Sequence, residues 1–316
     1  MVNIRKLKTN SLRVFHLLQR ILNKYLNEDI TMIPYGSMIN GCHNENSDID
    51  IMIFFDRYDS CINRSKRISR LSKVFRVLKR HVRADKMIFI STAKHPVIRI
   101  KMEYGGIDIQ VEMCAHNPYP VICTWIVKSM IESSTNKTIV RQLIRSVISF
   151  ARENRIHGTK GRVPAISSFS YTLLVLGFLR AKGYINSFNP HNDEVQLGSS
   201  SIDEDDLMQL VLNGEDAANS EWSIENAPWY MIFPSLAELK QQFFEYMLDV
   251  LRNRYHVVSI ENHSWYPDEH NYLYISNPVN LTNTADTLSE AKYDRMIEIL
   301  QDEIEGDQWS DCDDSD

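Results

Sequence analysis

Long apolar runs are missing from this sequence of 316 residues. No stretch approaches the ~18 uninterrupted apolar residues that a membrane span needs, so no membrane association is expected. Cysteine is scarce as well. Cys42, Cys61, Cys114, Cys123 and Cys312 are odd in number and fall in no paired spacing, which argues against a disulfide framework and for a reducing compartment. The "CAH" run at 114–116 has no second Cys/His pair at ligand spacing, so a zinc site is not expected. The first residues, "MVNIRKLKTNSLRVFHLL", lack an apolar core followed by a small-residue cleavage site, and secretion is not expected. The expected location is the cytoplasm, with the nucleus or mitochondrion as alternatives.

What the sequence does contain is unevenly distributed. Residues 1–101 hold 20 Lys and Arg against 8 Asp and Glu, while the remainder holds 15 against 33, giving +12 and −18 within a net charge of −6. The first part could attract phosphates, and the second would repel them. Residues 306–316 read as a disordered acidic tail.

Apolar side chains at Leu12, Phe15, Leu18, Ile21, Leu22 and Tyr25 recur at helical spacing, which predicts an amphipathic helix. "ITMIPYGS" reads as a strand entering a turn, and "DIDIMIFF" alternates as a half-buried strand does. A helix with Ile68, Leu71, Val74, Phe75 and Leu78 on its apolar face follows, carrying Arg67, Arg70 and Lys73 as candidate RNA contacts. "KMIFIST", "PVIRIKMEY" and "IDIQVEM" add three strands, the last two joined by a "YGG" turn. From residue 118 the pattern turns helical. "SSFSYTLLVLGFLRAKG" is apolar nearly all round and predicts a buried central helix. The fold class expected is α+β: a mixed sheet with flanking helices over 1–117, then a mainly helical domain over 118–305.

The chemistry lies in "PYGSMINGCHNENSDIDIMIF". Gly36 permits close approach of backbone to a phosphate, and Ser37 can donate a hydrogen bond to it. Asp48 and Asp50 stand at i and i+2 of a strand, so both carboxylates face one way. Two like charges held that close are costly unless cations neutralise them, and oxygen ligands suit Mg²⁺. A third carboxylate is expected from Asp108, because Ile107, Ile109 and Val111 mark the buried face of its strand. Three carboxylates could hold two Mg²⁺ or Mn²⁺ ions about 4 Å apart.

Glycine-serine, a spaced Asp-x-Asp on a strand and a third carboxylate together resemble the signature of the DNA polymerase β-like nucleotidyltransferases. "RVPAISSFSYTLLVLGFLRAKGYI" and "SLAELKQQFFEYM" through "NPVNLTNTADTLS" are similar to the central and poly(A)-polymerase-associated segments of non-canonical poly(A) polymerases and terminal uridylyltransferases. The likeness covers about residues 30–300. It implies that Ser168 contacts a triphosphate, that Phe169 stacks on the base where the family has Tyr, and that Arg152 keeps the second of two triphosphate-binding basic positions. The first is Ile148 here. Thr124 stands nearest the family's ribose-contacting asparagine. Asn277 and Asn280 occupy positions that are acidic in the family, and Asp286 one that is Arg.

Uridylyl-adding relatives place a histidine between the Thr/Ser and the Asn of the base-reading loop. Here Thr282 is followed directly by Asn283, as in cytoplasmic poly(A) polymerases of the germline-development type. The resemblance therefore implies ATP as the nucleotide, Asn277 and Asn283 as base-side contacts, and an RNA 3′ end as acceptor. UTP is the alternative, and an inactive RNA-binding scaffold is a further one. No recognition-motif, KH or zinc-knuckle module is recognisable in the sequence, so substrate choice is expected to come from the core's own groove or from an RNA-binding protein partner.

Overall fold

The computed structural model describes residues 4–45, 47–55, 63–158, 165–190, 197, 203–224, 231–253, 257–261 and 272–310, without the side chains of 4–6, 217 and 306–310. The chain divides into two compact units, Met1–Lys128 with Ile202–Ser220, and Ser129–Ser201 with Glu221–Asp316.

The first unit is built on a five-stranded sheet. Helix α1 (Ile4–Tyr25) leads into β1 (Ile30–Tyr35), the short α2 (Ser37–Asn40), β2 (Ile49–Phe55) and α3 (Arg64–His81). Strands β3 (Lys86–Ile90), β4 (Val97–Tyr104) and β5 (Ile107–Ala115) then complete a sheet of order β1-β2-β5-β4-β3. Only β2 and β5 run parallel; the other pairs are antiparallel. Gly105 and Gly106, at φ 60° and 74°, make the β4–β5 turn that the sequence predicts. One face of the sheet is the core. Val14, Leu18 and Leu22 of α1 and Leu71, Val74 and Leu78 of α3 pack with Ile49, Ile51, Ile53, Ile100, Val111 and Met113. Asn63 caps α3 by accepting from the Lys66 N–H at 3.0 Å.

Strand β2 departs from the half-buried expectation: from Ile51 to Phe55 every residue is buried. Met52 and Phe54 lie on the face opposite the α1/α3 core, and the His116 ring stands edge-on to Phe54. The side chains of α3 expected to meet RNA are engaged within this unit. Arg67 pairs with Glu204 of α7 (Glu204–Asn213) at 2.8 Å, Lys73 pairs with Glu28, and the Arg70 guanidinium lies 5.3 Å from the Phe55 ring centroid.

A boundary at 117/118 is also moved. Helix α4 (Tyr119–Ser133) belongs to the first unit as far as Lys128, because Thr124 bonds back to the β1–α2 turn. Helices α7 and α8 (Glu215–Ala218) belong to it as well, Lys128 pairing with Glu215 at 2.7 Å.

The second unit gathers α5 (Lys137–Glu153), α6 (Ser168–Ala181), α9 (Leu236–Arg252) and α10 (Glu290–Ser310). Helix α6 is the central helix its composition predicts, with every residue from Ser170 to Leu179 buried. Residue 177 must be small, since a Cβ there would lie 2.5 Å from Val258 Cγ1. Two-residue strands β6 (Asn189–Pro190) and β7 (Trp222–Ser223) pair antiparallel, while β8 (Val257–Val258) and β9 (Tyr274–Ile275) pair parallel. Helix α9 starts on a capping box between Ser235 and Glu238. Of the expected acidic tail, the backbone is helical to Ser310 and 311–316 lie outside the described residues.

Candidate active site

Strand β1 ends at Tyr35, and the chain turns sharply at Gly36 into α2. Gly36 has φ 76°, and a Cβ built there would lie 2.2 Å from Asp50 Oδ2. The turn therefore presses bare backbone against that carboxylate, which no other residue could do. Thr124 holds the turn. Its hydroxyl accepts from the Gly36 N–H at 2.9 Å and donates to the Pro120 carbonyl at 2.7 Å. Thr124 is 4% exposed, so its observed contacts tie α4 to the turn, whereas the resemblance assigned it to a ribose. Ser37 opens α2, half-buried, next to Gly36.

Asp48 immediately precedes β2 and Asp50 is its second residue. The third carboxylate beside them is Glu112, and the ligand oxygens of Asp48, Asp50 and Glu112 all lie within 4.8 Å of one another. Asp108 is not in the cluster. It is a largely exposed residue, its oxygen 2.8 Å from Lys101 Nζ on β4. The reason is register. Asp50 stands opposite Glu112 across the parallel β2–β5 pair, and Asp108 precedes the residues of β5 that pair with β2. Four residues at ~3.3 Å each put it ~13 Å back along the strand. Alternation identifies the correct face of β5, since Asp108 and Glu112 share it, but carries no information about which of them meets β2.

The same row crosses four strands. Tyr35 is partnered with Asp50, Asp50 with Glu112, and Glu112 with Arg99. Arg99 Nε lies 2.7 Å from Glu112 Oε1, so a cation flanks the third carboxylate. On the other side, burial, and after it the neighbouring Cys114, Asp50 and Glu112, pushes the Tyr35 phenol well above its ordinary range. It remains a neutral hydroxyl near pH 7. Three carboxylates this close repel one another unless positive charge is supplied, and an all-oxygen donor set suits a hard divalent cation. The residues present fit metal binding.

The remaining expected residues lie in the second unit. Ser168 is the first residue of α6, with half-buried Phe169 following in the same turn. Arg152, in the last turn of α5, brings its guanidinium to 3.5 Å from Ser168 Oγ. His157, which the sequence reading did not single out, is closer: its Nε2 lies 2.7 Å from the same oxygen. Burial first, and the Arg152 charge second, push the His157 imidazole down to about 4.

The loop expected to read the base is heavily cross-braced. Asn283 Oδ1 accepts from the Ile275 and Ala285 N–H groups at 3.0 and 2.9 Å, and its Nδ2 donates to the Leu273 carbonyl at 2.9 Å. These bonds use most of its amide, so Asn283 builds the loop. Asn277 Oδ1 accepts from Val279 N–H, and Asn280 binds Thr282 through both its N–H and its hydroxyl. Ser170 of α6 donates to the Thr284 carbonyl at 2.8 Å, seating the loop on the helix that carries Ser168 and Phe169.

Residues 5–130 match the family described as "Poly(A) RNA polymerase, mitochondrial-like, central palm domain". Terminal uridylyltransferase 4 of mouse and of human are each 25% identical over 167 residues, covering 52% of this chain and 10% of theirs. The matched part is thus a small fraction of those relatives' length. A histidine-to-asparagine variant of the Cid1 poly(U) polymerase bound to MgATP superimposes with a TM-score of 0.71 at 17% identity, covering 95% of this chain and 88% of that one. Cid1 with its short product ApU gives 0.70 at 17% identity and the same coverages. At this identity the likeness establishes the fold. The palm-domain match falls on the segment that carries Gly36, Asp48, Asp50 and Glu112, and the fold is the one shared with these nucleotidyltransferase structures.

Proposed function

We propose that the protein is a template-independent RNA 3′-terminal nucleotidyltransferase that adds adenosine from ATP. The observation that carries the chemistry is the Asp48–Asp50–Glu112 cluster set against the bare backbone of Gly36. Bound there, divalent cations would supply charge neutralisation at the attacking and departing oxygens of a phosphoryl transfer. The chain's own residues would do the rest. Asp48, Asp50 and Glu112 would hold the ions, and Arg99 would keep Glu112 turned toward them. Gly36 admits the triphosphate close to the backbone, and Ser37 donates a hydroxyl to it. Arg152 and Ser168, with the first turn of α6, bind triphosphate oxygens, while Phe169 offers a ring for base stacking.

The choice of ATP rests on the direct Thr282–Asn283 junction, which has no histidine, and on stacking area, which favours a purine. UTP is the second reading, favoured by the uridylyltransferase relatives and by the poly(U) polymerase fold neighbours. Incubating the pure protein with an oligo(A) primer, Mg²⁺ or Mn²⁺ and each nucleoside triphosphate separately tests both. A kcat/KM for ATP above that for UTP is expected, with no incorporation by Asp50→Ala. A clear excess of UTP incorporation overturns the adenylyl assignment, and no incorporation of any nucleotide overturns the activity.

A further inference from the structure

His157 has no assigned part in this chemistry, yet its ring and its backbone are both closely held. The chain leaving α5 runs alongside the chain entering α6: His157 pairs with Ile166 in a parallel bridge, and Gly158 N–H donates to the Ile166 carbonyl at 2.9 Å. The approach is so close that a Cβ on residue 158 would lie 2.2 Å from the Ala165 carbonyl oxygen. The imidazole lies nearly parallel to the Tyr171 ring, at 13° with centroids 6.3 Å apart, and Tyr171 is itself anchored by its hydroxyl to the Ile156 carbonyl at 3.1 Å. Ring and backbone are both constrained, and the result is Nε2 at 2.7 Å from Ser168 Oγ.

Counting protons shows what that contact decides. A serine oxygen has one proton to give and two lone pairs to receive. Arg152 can only donate, so it takes one lone pair of Ser168. The neutral imidazole either accepts the Ser168 proton at Nε2, leaving none for a ligand, or donates from Nε2–H into the second lone pair, leaving the hydroxyl proton for an incoming oxygen.

We propose that His157 is a positioning residue for the nucleotide, donating from Nε2–H to Ser168 Oγ and so releasing the Ser168 proton to a phosphate oxygen. This rests on the assignment of Ser168 and Arg152 to triphosphate binding. Because Arg152 and His157 together saturate the oxygen's lone pairs, Ser168 is left as a pure donor, selective for an anion with acceptor oxygens over a group that itself donates.

The test is a double-mutant cycle in the full chain, with KM and kcat for ATP measured at saturating primer and ADP binding measured by calorimetry. His157→Phe keeps a ring against Tyr171 and removes the donor. It should raise KM and weaken ADP binding about tenfold, about 1.4 kcal/mol, with kcat within about twofold. His157→Asn retains an N–H and should recover most of the loss. Ser168→Ala should cost a similar factor, and His157→Phe should then add nothing. Full additivity of the two substitutions, or a fall in kcat at unchanged KM, overturns the role of His157. Ser168→Ala with parental KM and ADP affinity overturns the triphosphate assignment itself. If His157→Phe fails to fold, His157→Gln and His157→Leu provide the same comparison of donor against none, with the same outcomes.

Discussion

Glu112→Ala set beside Asp108→Ala separates two carboxylates that share one face of one strand. Glu112 stands opposite Asp50 on the neighbouring strand, ~4.8 Å away, and its oxygen belongs to the triad. Asp108 lies ~13 Å back along β5, paired with Lys101. Its carboxylate holds the Lys101 ammonium above its usual range, but both groups are well exposed, so losing the pair should leave Tm unchanged within error. A carboxylate that helps hold catalytic cations supports several kcal/mol of transition-state stabilisation. At ~1.4 kcal/mol per factor of ten, losing ~3–4 kcal/mol lowers kcat/KM by roughly 10²- to 10³-fold. The assay is paired: primer extension with ATP, and Mn²⁺ binding to the nucleotide-free protein followed by electron paramagnetic resonance. Glu112→Ala should lose both signals, and Asp108→Ala should keep both. If Asp108→Ala loses Mn²⁺ binding while Glu112→Ala retains it, the β2–β5 register described here is wrong.

Gly36→Ala should abolish primer extension, since its methyl would meet Asp50 Oδ2. Backbone strain at φ 76° and ψ −155° should lower stability by about 1–3 kcal/mol, so thermal melting separates an inactive folded enzyme from an unfolded one. Glu261 is 1% exposed, and among the described residues neither carboxylate oxygen has a hydrogen-bond partner. Burial, against an opposing pull from Arg180, raises its pKa to about 8. The folded state therefore holds a proton that the unfolded chain has released between about pH 4.5 and 8, and stability falls as pH rises through that window. Glu261→Gln should raise Tm relative to the parent, by more at pH 8 than at pH 5; an equal difference at both would remove Glu261 as the cause. Arg67→Ala with Lys73→Ala should leave the salt dependence of primer binding unaltered, because both side chains are paired within the first unit. A log–log slope shallower by ~1 or more would return them to the RNA path.

Local pattern determined a good deal of this protein. Alternation in "DIDIMIFF" and "IDIQVEM", helical spacing in α1 and α3, and the uniformly apolar α6 depend on neighbours a few residues apart, and the corresponding elements lie where those patterns stand. Gly36 and the Asp48–Asp50 pair were legible for the same reason, being a turn followed by two side chains on one strand face. What the tertiary structure decided is which distant groups meet. Glu112 rather than Asp108 joins the triad through the register of two parallel strands 50 residues or more apart in sequence, a slide that single-strand periodicity cannot encode. Thr124 and Asn283, read by resemblance as ligand contacts, are engaged by backbone groups brought to them by folding. His157 carries no local signal, because its meaning comes from a close approach of two chain segments that places one ring nitrogen on one serine oxygen. Periodicity reports which way a side chain faces; register and close packing determine what it faces.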